Sequence, residues 1–382
     1  MAHNLEISLT CCRREQINMI NDLLLFSDDD EEIIEYISTD FYDRRIAERT
    51  DYFNTHRDKE FHRRFRLEKH SVAFLLNKIK HRLQYVNPNI SEALSPMNQL
   101  LCTLRYFATG SQLVTCGDFI GVHESTACRT IHKVTDAIAR LYPEFIVMPR
   151  TEEELRQAAM KFYQIARFPR AIGAVDCTHV RTKSPGGETA EIYRNRKGYF
   201  SMNTQAICSA DLLFTDVVAR WHGSAHDSHI WDNSNQRRHF LQGTYGNYCL
   251  LGDSGYAQTP FMMTPLGNVT SPSQSLYNES QIRTRNVIER TFGIWKRRFP
   301  IVSRGIQVHL SRVPGIIIAT CVLHNIARLQ NDLEPPVDPE YPPILDNTSD
   351  EIAVVPNNRS GVNTAGQNAR QVLIEQHFGR LA

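Results

Sequence analysis

Apolar residues recur at helical spacing through the first third of the chain, then give way to short continuous runs after Phe168. Leu100, Leu101, Leu104, Phe107 and Ala108 share one helical face that stops at Gly110. A second short helix is predicted from Gln112 to Ile120, closed by Gly121. A third begins after His123-Glu124-Ser125 and carries Ile131, Val134, Ile138 and Leu141 on one side. Short helices joined through glycine, with a polar end on the last, fit a helix-turn-helix over residues 96–145. That end would present Ser125, Thr126, Arg129, Thr130 and Lys133 to a groove, with Arg129 and Lys133 as candidate DNA contacts. The same spacing also describes a plain three-helix bundle.

Beyond Phe168 the pattern predicts a buried strand from Ala171 to Val180, then a hairpin of Met202–Ser209 and Leu213–Trp221 around Ala210-Asp211-Leu212. Ile230 to Phe240 reads as helix and Tyr248 to Gly252 as another short strand. Helices are predicted from Ile282 to Phe299 and from Gly315 to Leu329, the second apolar nearly all round and therefore buried. Strands followed by helices on a mixed sheet describe an α/β or α+β domain over residues 168–330, behind an all-α N-terminal region. After Asn331 the proline-rich EPPVDPEYPP and the weakly patterned residues beyond it read as a flexible tail over 331–382, with one short helix from Ala369 to Phe378.

Length and composition narrow this picture. A chain of 382 residues suits two domains plus tails, and 41% hydrophobic residues supply a real core. A net charge of +1 excludes a uniformly basic DNA-coating protein but not a local basic groove. The opening MAHNLEISLT has no secretory pattern, and the apolar block Gly315–Leu323 is about half the roughly 20 residues of a membrane span. Nine cysteines, with Cys11 and Cys12 adjacent and no CxxC pair, form no disulfide or zinc framework. An intracellular, reducing location is expected. The acidic run Asp28–Glu32 and the basic segment Arg57–Arg82 read as solvated charge.

The candidate chemistry lies in four carboxylates. Two apolar runs lead directly into an aspartate, AIGAVD at Asp176 and CLLGD at Asp253 (residues 249–253), and a carboxylate at a sheet rim is where α/β proteins place ligands. Glu289 lies beside the stripe Ile288, Phe292, Trp295 and Phe299, in line with Asn286, Gly293 and Lys296. It is the single acid between Gln281 and Arg304, among seven Lys/Arg that include Lys296, Arg297 and Arg298 as candidate phosphate contacts. By itself it also reads as an exposed glutamate among solvated arginines. Asp227 falls within three histidines, His222, His226 and His229, but with no cysteine nearby the zinc reading is poor and a loop or helix-start aspartate fits better. Carboxylates about 4 Å apart repel by roughly 4 kcal/mol per pair at an effective dielectric near 20, so a converging set needs a cation. All-oxygen ligation selects Mg²⁺ or Mn²⁺, and two such ions can clamp the attacking and leaving oxygens of a phosphodiester.

The stretches AIGAVDCTHV, YRNRKGYFSMNTQAICSAD, WHGSAHDSHIW, LLGDSGYA, TRNVIERTFGIWKRRFP and CVLHNIA, in this order, resemble the PIF/Harbinger superfamily of DDE transposases, including the animal Harbinger transposase-derived nucleases. The resemblance runs from about Pro96 to about Leu329. It implies an RNase H-like fold and a catalytic triad of Asp176, Asp253 and Glu289, 77 (253 − 176) and 36 (289 − 253) positions apart. It adds Asp227 as a second-rank metal ligand, so that Asp176, Asp227, Asp253 and Glu289 form the implied metal set.

The resemblance further implies a divalent cofactor, Mg²⁺ or alternatively Mn²⁺, and a DNA substrate faced by Arg194, Arg196 and Lys197. A hairpin entry that only solvates the surface would carry those three residues equally well. His324 and Asn325 are expected to be a hydrogen-bonded core pair rather than catalysts. A Myb/SANT-like DNA-binding partner and residence in nucleus and cytoplasm follow from the same resemblance, with no membrane association and with homo-oligomerisation left open. The leading expectation is a metal-dependent DNA endonuclease, with strand transfer as an added step. The rivals are a catalytically silent DNA-binding or scaffold protein and, behind it, a phosphatase or RNase of the same fold.

Overall fold

The computed structural model describes residues 50–84, 94–335 and 364–382. The acidic run Asp28–Glu32, the Cys11-Cys12 pair and most of the proline-rich stretch lie outside them. After a single helical turn at Tyr52–Thr55 come helices α1 (Asp58–Phe65) and α2 (Lys69–Leu83). Three more follow as the periodicity predicts: α3 (Pro96–Thr109), α4 (Leu113–Ile120) and α5 (Glu124–Ala139). Gly110 and Gly121 close α3 and α4 in the left-handed conformation that a side chain disfavours, and the His123 ring accepts from the Ser125 amide at the start of α5. A helix the sequence pattern does not show, α6 (Glu152–Ala166), starts at a Thr151–Glu154 capping box and leads into the sheet.

Five strands form one mixed sheet in the order β3-β2-β1-β4-β5. They are β1 (Ala171–Arg181), β2 (Ser201–Cys208), β3 (Phe214–His222), β4 (Cys249–Leu251) and β5 (Met262–Met263). The first three run antiparallel in sequence, whereas β4 joins β1 in parallel and β5 joins β4 in parallel. Between β3 and β4 the predicted single helix is two, α7 (Asp227–Asp232) and α8 (Asn235–Leu241), because the Ser234 hydroxyl accepts from the Arg237 amide and starts a new helix. Helix α9 (Pro272–Arg298) begins ten positions earlier than predicted (282 − 272), at a Ser271 cap followed by proline. Helix α10 (Val313–Leu329) follows it, and α11 (Thr364–Gln376) closes the chain.

Strand alternation divides the core. Ala174, Ala206 and Val217 belong to the large cluster shared with Trp295 of α9, Phe299 just after it, Ile317 of α10 and Ile131 of α5. Val175, Ile207 and Leu250 pack on the other side with Trp231, Phe240 and Tyr245. Helix α10 is apolar and long enough, with the residues just before it, to meet the length and hydropathy of a membrane span over Leu310–Leu329, yet most of it is buried in this core. The expectation of a free C-terminal tail does not describe residues 364–382. Phe378 is buried between the Phe168 and Tyr277 rings, and a Cβ on Gly366 would meet the Gln258 carbonyl at 2.6 Å, so α11 docks closely against the loop that follows β4.

His324 and Asn325 are the core pair that the sequence predicts. The His324 Nε2 lies 2.8 Å from the Leu212 carbonyl, and Asn325 bridges Phe214 and Phe145. Burial pushes the imidazole down to about 3. Since an unfolded histidine titrates near 6.5, the folded chain binds fewer protons than the unfolded one in between. The neutral ring's stability contribution is therefore present above about pH 6.5 and lost as the pH falls toward about 3. Urea unfolding of wild type and His324→Gln should show wild type losing up to about 1.4 kcal/mol more per pH unit in that window. Parallel pH profiles would contradict the neutral buried ring.

Candidate acidic active site

The sheet register brings Asp176 and Asp253 to one level. Ala174 of β1 lies opposite Leu251 of β4, so the residues two further along each chain are Asp176 and Asp253. Asp176 lies inside its strand, since β1 continues to Arg181, one residue beyond the predicted end. What ends there is its short neighbour β4, and the carboxylate emerges where that strand stops. Asp176 is 9% exposed. One of its oxygens accepts from the Cys177 amide at 2.7 Å, and Asp253 accepts from the Gly255 amide at 3.0 Å.

Helix α9 crosses this rim and supplies two more charges. Arg285 donates from Nη1 to Asp176 Oδ2 at 3.0 Å and from Nη2 to Glu289 Oε1 at 2.6 Å. Its position four residues before Glu289 puts both on one helical face. Asp227, the first residue of α7, accepts from Asn203 Nδ2 at 3.0 Å. Asn203 also holds the Ala225 carbonyl, fixing the turn before α7 onto β2. Gln205, two residues along β2, donates to the Tyr256 hydroxyl at 3.2 Å, which in turn lies 3.4 Å from the Cys177 thiol.

The electrostatics tie these groups into one site. Burial first, and then the charges of Asp253 and Asp227, push Asp176 up to about 8 against the opposing pull of Arg285. Burial and Asp227 likewise raise Asp253, with Glu289 adding to the rise. Four carboxylates thus face one guanidinium among these groups. The excess negative charge and the all-oxygen donor set fit a hard divalent cation. Among the described residues, the His/Asp/Glu group whose ligand atoms all lie within 4.8 Å of one another is a different one, Glu68, His70 and Asp332. There Asp332 accepts from the Glu68 amide and the Ser71 hydroxyl, which is the bonding of a helix cap on α2.

The basic residues divide by burial. Arg129, Arg194, Arg196 and Lys197 are exposed; Arg194 pairs with Glu191 and stacks on Phe200, and Arg196 meets the His226 ring. Lys133 is half-buried and donates to the Leu83 carbonyl. Lys296, Arg297 and Arg298 are not the row of phosphate contacts that their sequence offers. Lys296 is buried with its Nζ 2.7 Å from the Thr178 hydroxyl, and Arg297 pairs with Glu334. Arg298 is fully buried, donating to the carbonyls of Arg66 and Leu333, and burial lowers it to about 10. Successive helix residues turn by about 100°, so three adjacent cations point three ways.

The zinc reading of the three histidines gains nothing from their contacts: His222 meets Ser224, His226 meets Arg196, and His229 packs on Trp221. The sequence reading missed Arg285, Asn203, Gln205 and Tyr256. Two buried polar residues at alternate positions of an otherwise closed strand, and an arginine one turn before an isolated glutamate, were the signals available.

A family profile described as DDE superfamily endonuclease matches residues 175–325, a span that contains all four carboxylates. Putative nuclease HARBI1 of Bos taurus is 32% identical over 291 residues, 75% of this chain and 82% of that relative. The Homo sapiens protein of the same name is 34% identical over 240 residues, 62% of this chain and 68% of the relative. Protein ALP1-like of Arabidopsis thaliana is 25% identical over 307 residues, 75% of this chain and 74% of the relative. No solved structure matches the chain significantly. The mixed sheet, its acidic rim and the family profile define a protein of the DDE endonuclease class. Within that class, the chain belongs to the Harbinger transposase-derived nuclease family, the family of HARBI1.

Proposed function

We propose that this protein is a divalent-metal-dependent DNA endonuclease in which Asp176, Asp253 and Glu289 are the catalytic carboxylates and Asp227 an accessory one. The observation that carries this reading is the convergence, at one rim of the sheet, of a buried Asp176 on β1, a half-buried Asp253 after β4 and an exposed Glu289 on α9; burial and neighbouring carboxylates raise the first two, and Arg285 joins the last to Asp176. These residues would hold Mg²⁺ or Mn²⁺, in a two-ion arrangement that supplies Lewis acidity to the phosphodiester. The chain's own part is to fix the carboxylates. Asp176 is held by the β1 ladder and the Cys177 amide, Glu289 by α9, and Asp227 by Asn203. We read the strand order as RNase H-like, and α3 to α5 as a helix-turn-helix with Arg129 at its exposed end. Arg194, Arg196 and Lys197 would follow the DNA backbone. A Myb/SANT-like partner, strand transfer after hydrolysis, and nuclear and cytoplasmic residence belong to the same proposal. A catalytically silent DNA-binding protein is the second reading, favoured by the Arg285 bridge, which pairs with two of the carboxylates without any metal.

The deciding assay is nicking of supercoiled plasmid with Mg²⁺ or Mn²⁺, by wild type and by Asp253→Ala and Glu289→Ala, with and without a Myb-like partner. The reading predicts nicking that EDTA stops and that both variants lose. Intact DNA binding without cleavage in any condition would select the silent protein instead.

A further inference from the structure

We propose that Arg285 is the resident counter-ion of the acidic site, a positioning residue that holds Asp176 and Glu289 together before metal binds and that the first divalent cation has to displace. The inference deepens the endonuclease reading and rests on it. Its basis is a single guanidinium that spans two carboxylates from different elements, at 3.0 Å to Asp176 on β1 and 2.6 Å to Glu289 on α9. An arginine cannot shed its charge, and this one is mostly enclosed, with its side chain 13% exposed. Its two carboxyl partners offset the cost of enclosing that charge. Without the guanidinium, Asp176 and Glu289 would face Asp253 and Asp227 with no cation beside them.

The two carboxylates that Arg285 occupies are the ones a divalent cation would use. The guanidinium gives one nitrogen donor to an oxygen of each, whereas a hard cation takes the same oxygens as inner ligands. Both cannot hold those oxygens at full strength, because like charges repel at this separation. Arg285 and Glu289 are one turn apart on α9, so the released side chain stays tethered at the mouth of the site. The fold therefore carries a built-in competitor for its own cofactor. Metal loading is set by an exchange of cations rather than by filling an open cage.

The test uses the full chain and Mn²⁺ alone, titrated calorimetrically at fixed pH and ionic strength. Wild type is compared with Arg285→Met, Arg285→Lys and Asp176→Asn. Arg285→Met should bind Mn²⁺ at least tenfold more tightly than wild type. Arg285→Lys should fall between them, since one ammonium cannot span both carboxylates. In EDTA, Arg285→Met should melt below wild type, and Mn²⁺ should raise its midpoint by more than it raises that of wild type. A merely structural ion pair would lower the midpoint equally with and without Mn²⁺ and leave the affinity unchanged or weaker, and that result overturns the inference. Mn²⁺ binding absent from wild type and all variants, or indifferent to Asp176→Asn, would remove the metal-site reading itself. Should Arg285→Met fail to give a folded circular-dichroism spectrum, the affinity of Arg285→Lys decides: tighter than wild type supports the exchange, equal or weaker rejects it.

Discussion

Asp176→Asn is expected to lower metal-dependent nicking by about 1,000-fold or more while making the metal-free protein more stable at alkaline pH. The two effects share one cause. Asp176 is buried beside Asp253 and Asp227, which together with desolvation push it up to about 8. In the unfolded chain an aspartate titrates near 3.9. The folded protein thus retains a proton that the unfolded chain releases. The contribution of this carboxyl is fully present below about pH 4 and is lost as the pH rises through about 8. Asparagine keeps the shape and cannot ionise, so the midpoint gap in EDTA should open from about pH 4 and level off above about pH 8. Arg285 retains Glu289 in the variant, which limits the loss from its vacated partner. Calorimetric melting from about pH 5 to about pH 9, paired with the nicking assay, checks both. Equal melting curves across that window would mean that the carboxylate is not under electrostatic stress. A function bought with instability is the usual bargain at a catalytic carboxylate.

The second large effect concerns the core. Asn325→Leu, nearly isosteric, should destabilise the protein by about 3–6 kcal/mol. The Asn325 Oδ1 accepts from the Phe214 amide at 2.9 Å, and its Nδ2 donates to the carbonyls of Phe214 and Phe145 at 2.7 and 2.8 Å. Leucine leaves the Phe214 donor and acceptor buried without partners, at about 1–3 kcal/mol each, and frees the half-buried Phe145 carbonyl at a smaller cost. These bonds fasten α10 to the start of β3 and to the turn before α6, so their loss loosens the floor under the sheet. Urea unfolding measures it directly. A loss under about 1 kcal/mol would mean that water enters and replaces the amide.

Much of this was legible beforehand. Helical spacing located α3, α4 and α5, and the glycines that end the first two fell where the left-handed caps are. The apolar runs located β1, the hairpin and β4 because a strand buried on both faces is rich in apolar residues, although β2 also buries Ser201, Asn203, Thr204 and Gln205. Asp176, Asp253 and Glu289 were visible as carboxylates out of keeping with their surroundings. The two-residue β5 was not visible, because Met262-Met263 is too short to carry a period. The polar start of α9, residues 272–281, was missed because most of its residues are not apolar, although Tyr277 and Gln281 are buried there. The docking of α11 was missed for a related reason. Its attachment combines Leu373 and Ile374 in the core with Gly366, Arg370 and Phe378 meeting distant residues, too few apolar positions to read as a stripe.

The sequence by itself determined the order and kind of most elements, the family and the acidic residues worth watching, since local periodicity and residue chemistry are written along the chain. Only the tertiary structure decided which charges do what. It set Asp176 level with Asp253 through the β1–β4 register, and it turned Arg285 inward to join Asp176 to Glu289. It also removed Lys296 and Arg298 from the surface. Burial and pairing depend on contacts between segments as far apart as Asp176 and Arg285, and no local pattern encodes the partner that a charge will find.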